Sequence, residues 1–154
     1  MGADLTVTRI YEPLIIKAVL SQMLEEIAED GYNFEQFRPD VNGEAWVAVH
    51  DRNEIHALYN FHAMNSSTLM IHSHVLKKFR KDSLKLGQEA LRYFASTDYH
   101  KLIVEVPAIY RHIRIYLLRL GFKPEGINRE SYLKNGTYID QHRFGITRGE
   151  LWAS

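Results

Sequence analysis

The chain contains no cysteine. That excludes a disulfide-stapled scaffold, a thiolate zinc site and a cysteine nucleophile. No apolar run approaches the roughly 18 residues needed to cross a bilayer, and the N-terminal stretch lacks the apolar core of a signal peptide. Gly-x-Ser-x-Gly, the setting of a strained serine nucleophile, is missing, and so are the P-loop and dinucleotide glycine patterns. What is present is an ordinary globular composition, 45% hydrophobic and 25% charged over 154 residues, too apolar for disorder. The expectation is one domain spanning residues 1–154 with a single core, in the cytoplasm and without a membrane partner.

A formal net charge of zero conceals two unlike halves. Residues 1–60 carry eleven acids and four bases, net −7, and residues 61–154 carry eight acids and fifteen bases, net +7. Either the second half meets an anionic partner, or molecules associate through opposite halves, or the halves neutralise each other within one fold. The densest basic stretch is Lys77, Lys78, Arg80, Lys81 and Lys85, at the passage from a strand into a helix. A helix N-terminus has free N–H groups and a positive dipole end, which suits a phosphate. Nucleic acid is not favoured, because no aromatic residues of the RNA-binding kind interleave with these cations.

Hydrophobic periodicity predicts the order β-α-β-β-β-α-β-α-β-β. Leu5, Val7 and Ile10 mark the first strand. A helix opens at Glu12-Pro13 and runs through Ile27 to a stop at Gly31. Asn42-Gly43 reads as a hairpin turn before Ala45–Val49. Strands follow at Ile55–Phe61 and Met70–Val75, then a helix over Ser83–Phe94 and a strand over Leu102–Val106. A helix over Tyr110–Leu120 stops at Gly121, and Glu130–Leu133 and Tyr138–Phe144 flank the Asn135-Gly136 hairpin. Trp46, Tyr59, Phe61, Phe94 and Phe122 are expected in the core. The fold class is α/β (α+β), a mixed sheet with helices on both faces.

This order, with Gly121-Phe122 directly after the last helix, resembles the GNAT superfamily of acyl-CoA-dependent N-acetyltransferases, whose central sheet has about seven strands. The resemblance implies that acetyl-CoA lies along Met70–Val75, with His74 and Val75 contributing. It also implies a phosphate loop of the form Arg/Gln-x-x-Gly-x-Gly/Ala at Arg80-Lys81-Asp82-Ser83-Leu84-Lys85, with Arg80, Lys81, Ser83 and Lys85 as contacts. Arg80 fits; Ser83 and Lys85 stand where small residues let the backbone wrap a pyrophosphate. Leu117 occupies the place where such enzymes often carry a tyrosine as acid for the leaving thiolate. Tyr116 precedes it by one residue, roughly 100° away around the helix. Tyr110 replaces the asparagine usual near that helix start.

Val106–Arg114, Leu120-Gly121-Phe122, Glu125-Gly126, Ser131–Gly136 and Asp140-Gln141 resemble a divergent tailed-bacteriophage subgroup of this superfamily. Some of its members are described as acetyltransferases, others as virion proteins of head assembly. Two readings follow. In the first, an amine attacks the acetyl thioester directly. In the second, the fold serves as a phage structural protein, in the virion, with other phage proteins or copies of itself as partners.

His62, His72 and His74 are the notable cluster. A three-residue loop over Asn65–Ser67 puts all three on one sheet face with Asn60, whereas a two-residue loop would shift the register and split them. Imidazole can accept a proton from an incoming ammonium group. Three histidines can also bind zinc, though no carboxylate accompanies them, so no metal is expected; ordinary polar strand positions are the plain alternative. Glu105 is a second candidate base, with a salt-bridged strand residue as its alternative. The candidate catalytic set is thus His72, Glu105 and Tyr116.

Overall fold

The computed structural model describes residues 4–152. Seven strands form one sheet: β1 (Thr6–Arg9), β2 (Ala45–His50), β3 (Ile55–Ala63), β4 (Thr68–Val75), β5 (Lys101–Pro107), β6 (Lys123–Lys134) and β7 (Thr137–Thr147). Their spatial order is β1-β2-β3-β4-β5-β7-β6. All neighbours are antiparallel except β4 and β5. The helices are α1 (Pro13–Ser21), a single turn α2 (Leu24–Ile27), α3 (Ser83–Ala95) and α4 (Arg111–Leu120).

Strand alternation divides the core into two layers. Trp46, Ala48 and Leu58 bury one sheet face against Ile16, Val19 and Leu20 of α1. Val47, Val49, Tyr59 and Phe61 face the other way, onto Leu86, Ala90, Leu91 and Phe94 of α3 and Leu117 of α4. Helices therefore cover both faces, and the expected aromatic core residues are all buried.

The first helix is shorter than its apolar pattern predicts. It breaks after Ser21, where Met23 turns out of helical geometry, and resumes only as α2. The stop at Ile27, short of Gly31, has a tertiary cause. Lys134 Nζ donates to the Glu25 and Ala28 carbonyls at 2.7 and 2.6 Å, the Tyr110 hydroxyl to Glu26 at 3.0 Å and the Tyr132 hydroxyl to Ile27 at 3.4 Å. Carbonyls that a continuing helix would bond to its own amides are satisfied from other elements. Asn42-Gly43 likewise joins no two strands: Gly43 N–H bonds Asp40 Oδ1 at 2.8 Å in a turn that leads into β2. The last two strands run longer than their apolar runs, because β6 passes two register irregularities and Glu130 takes a positive φ of 52°.

Candidate functional site

β4 and β5 pair over only Thr68–Lys101, Leu69–Leu102 and Met70–Ile103. Past those pairs the strands part, while β3 stays paired with β4 to Val75 and β7 with β5 to Pro107. A wedge opens in the middle of the sheet, flanked by β4 residues 71–75 and β5 residues 104–107. Backbone groups on its inner edges have no ladder partner and are available to an extended ligand.

The α1 face of this wedge carries the histidines. The Met64 N–H bonds the Thr68 carbonyl at 2.8 Å, and Asn65 Oδ1 accepts from Ser67 and Thr68 N–H at 2.9 Å each, which makes the three-residue loop. The register that follows sets Asn60 opposite His72 and His62 opposite Met70. His62, His72 and His74 do share one face. The His62 and His72 rings lie stacked with centroids 5.2 Å apart. His72 stays open to solvent, yet desolvation and then His62 hold its pKa below the ordinary histidine value, against the opposing pull of Glu44 and Glu105. His74 points inward. Its Nδ1 is buried with no partner, and burial brings its pKa down to about 4.

Parallel pairing of Met70 with Ile103 puts Glu105 on the same face as His72. Glu105 is not free there, since Arg143, opposite it on β7, forms an ion pair with it. Glu44 joins the site from the start of β2, where its carboxylate accepts from Asn60 Nδ2 at 2.9 Å. Sequence motifs gave no sign of Glu44; only its parity with Trp46, two residues on, puts it on this face. No group of three or more His, Asp or Glu among the described residues is arranged to hold a metal ion.

Tyr116 lies on the opposite side of the sheet. It borders a cleft of only about 10 Å³ with Tyr59, Ser73, Gly87 and Leu120. Burial raises its pKa to about 12 and raises that of Tyr59 further above its ordinary value. The Tyr59 hydroxyl is buried without a hydrogen-bond partner. Leu117 is buried in the core beneath α3.

The basic stretch forms a 3-10 turn, Lys77–Asp82, between β4 and α3, where an open loop is expected from the superfamily pattern. Arg80 pairs with Glu26 of α2, and its Nε donates to the Val75 carbonyl at 3.4 Å. Lys78 pairs with Glu54 at 2.9 Å. Among the described residues Lys77, Lys81 and Lys85 have no ion-pair partner. The Ser83 hydroxyl donates back to the Arg80 carbonyl at 2.6 Å, and Asp82 gives α3 no side-chain cap. The turn runs straight into α3, with the Ser83 N–H bonded to the Arg80 carbonyl, so what this junction offers a ligand is chiefly its three unpaired lysines.

Solved structures match this arrangement from end to end. A chimeric spermidine N-acetyltransferase SpeG from Vibrio cholerae superposes with a TM-score of 0.81 at 18% identity, covering 96% of this chain and 97% of its own. The fold is the GNAT fold. A Vibrio cholerae spermidine N-acetyltransferase in complex with CoA and spermine gives 0.79 at 18% identity, covering 95% and 96% of the two chains. An N-acetyltransferase from Staphylococcus aureus Mu50 gives 0.78 at 14%, covering 95% and 99%. No protein-family model and no curated protein matches the sequence. At these identities the GNAT likeness is one of fold. Among the described residues no helix is long and apolar enough to cross a membrane.

Proposed function

We propose that this single domain is an acetyl-CoA-dependent N-acetyltransferase acting on an amine by direct transfer. The observation that carries the reading is the wedge between β4 and β5, ending in a basic turn that runs into α3. The residues fit the donor in charge and backbone supply. The Vibrio cholerae relative holds CoA and spermine, which supports acetyl-CoA as donor and an amine as acceptor.

Acetyl-CoA supplies an acyl group activated as a thioester. The β4 backbone on the wedge edge at Ser73 and Val75 aligns its extended arm, whereas the His74 backbone is turned to Leu58 of β3. Arg80, Lys81, Ser83 and Lys85, with the α3 N-terminus, meet its phosphates. An acceptor ammonium must lose a proton before its nitrogen can attack. His72 is solvent-accessible and neutral at physiological pH, which suits it to accept that proton. Glu105, neutralised by Arg143, serves to orient and to shape the field around His72. Attack breaks the thioester C–S bond, and solvent supplies the proton that the departing thiolate needs: Tyr116, protonated throughout the working range and the nearest match to the superfamily's tyrosine acid, lies across the sheet from His72.

Calorimetric titration with acetyl-CoA tests the reading. Micromolar binding is expected, weakened about tenfold or more in Arg80→Ala and Lys81→Ala, as loss of a charge-assisted contact implies. Absence of binding at millimolar ligand would overturn it. Ser83 and Lys85 in place of small residues, and Leu117 in place of tyrosine, favour a second reading: a phage assembly protein that keeps the fold without the chemistry. That reading predicts co-purification with virion particles instead.

A further inference from the structure

The β2–β3 connection reaches over the basic turn and holds it. Phe79 is the turn's one aromatic residue. Its ring lies flat on the His56 ring, with centroids 3.6 Å apart and planes 5° from parallel. His56 is buried at 8% exposure, and its Nε2–H donates to Asp51 Oδ2 at 2.8 Å. Asp51 is itself fixed, since its Oδ1 accepts from the Asn53 and Glu54 N–H groups at 2.7 and 2.9 Å. Two further contacts tie the same two segments, and a third lies within the turn. The Leu76 N–H donates to the His56 carbonyl at 3.0 Å, Lys78 pairs with Glu54 at 2.9 Å, and the Lys78 ammonium sits 5.3 Å from the centre of the Phe79 ring. This chain of contacts runs from a backbone-anchored carboxylate, through an imidazole, to the middle of the segment that carries Arg80 and Lys81.

We infer that His56, oriented by Asp51, is a positioning residue that pre-organises the 77–82 turn for the phosphates of the acyl donor. The inference rests on the proposed function above and adds the device that holds its phosphate site. Its physical basis is the missing glycine pattern. A glycine loop wraps phosphate with its own backbone, whereas this turn must present side-chain charge from a fixed 3-10 geometry. Without a platform the turn would pay ordering entropy each time ligand binds. Stacking of His56 on Phe79 supplies the platform from outside the turn, and the Asp51 bond sets the plane of the imidazole.

The test compares wild type, His56→Ala and His56→Phe by calorimetry with acetyl-CoA and by kinetics with S-acetylpantetheine, which lacks the pyrophosphate. Amide hydrogen exchange across residues 77–82 accompanies both. His56→Ala is expected to weaken acetyl-CoA about fivefold to tenfold, the range an aromatic pair's coupling corresponds to. It should leave the KM for S-acetylpantetheine unchanged and speed exchange in the turn. His56→Phe, which keeps a stacking ring, should recover most of the acetyl-CoA affinity. Wild-type affinity in His56→Ala, equal losses for both thioesters, or failure of His56→Phe to recover would each overturn the inference. Unchanged exchange across the turn would do so without any ligand. If wild type itself binds no acetyl-CoA, it is the functional reading that falls; faster exchange in His56→Ala would then still establish the anchor as a feature of the fold.

Discussion

His74 is where residue-scale physics has the clearest consequence. Its ring is held neutral inside the sheet, with a pKa of about 4 against an ordinary value of 6.5. Between those two pH values the unfolded chain binds a proton that the folded chain refuses, so stability falls as pH drops through that window and is fully present above it. The contribution lost by pH 5 is on the order of 2 kcal/mol. Urea midpoints at pH 7 and pH 5 should show that loss in wild type and largely abolish it in His74→Gln; equal acid sensitivity in the two proteins would refute it. His72, two residues along, differs in one respect that matters for chemistry: it remains open to solvent. Parity on β4 by itself puts both histidines on one face, whereas His62 joins them only because the loop has three residues and not two. Which of the two faces solvent was not, because that depends on how α1 and β5 cover the strand.

At the scale of elements, α3 and α4 meet through a glycine. A Cβ added to Gly87 would stand 2.1 Å from Tyr116 Oη and 2.8 Å from Leu120 Cδ1. Gly87→Ala gains about 1 kcal/mol of helix propensity but must displace Tyr116, and overpacking of this kind costs roughly 1–3 kcal/mol. A net destabilisation of about 1 kcal/mol is expected by denaturant titration, with part of it recovered in Gly87→Ala/Tyr116→Phe. A stabilised Gly87→Ala would show that the two helices are not in this contact. Helical spacing puts Gly87 on one stripe of α3 with Ala90, Leu91 and Phe94, and Tyr116 about 100° around α4 from Leu117, yet nothing local pairs them. The end of α2 at Ile27, short of the predicted stop at Gly31, has the same character. Apolar spacing carried the helix to Ile27, but the hydroxyl and ammonium donors of Tyr110, Tyr132 and Lys134 arrive from roughly 80 to 110 residues away and take its carbonyls.

Across the whole molecule, the unlike halves interlock instead of merely attracting. The acidic segment after α1 lies against the β6–β7 hairpin. Glu29 accepts from the Leu133 N–H at 2.7 Å, and Asp30 accepts from the Asn135 and Gly136 N–H groups at 3.1 and 2.8 Å. Those backbone bonds hold the Asp30 carboxyl below its ordinary pKa. The same segment offers Glu26 to Arg80, so in the unliganded fold a carboxylate competes for a cation assigned to phosphate. Glu26→Gln should therefore tighten acetyl-CoA binding. The gain should not exceed about fivefold, because the pair is exposed and screened by solvent. Weaker binding in Glu26→Gln, read by calorimetry at constant salt, would mean that Glu26 helps to place Arg80 instead of competing for it.

Composition, apolar period and turn chemistry by themselves determined the order of elements, the α/β class, the aromatic core and the shared face of His72 and His74. These are consequences of steric preference and of burying one face at a time, so they are written locally. Tertiary structure alone decided the rest. The parting of β4 from β5, the ion pairs that occupy Glu105 and Arg80, the opposite side taken by Tyr116 and the seating of Phe79 on His56 all join residues far apart in the chain. The reason is physical: a side chain's charge, solvation and partner are properties of its neighbours in space, and the chain's local preferences do not specify those.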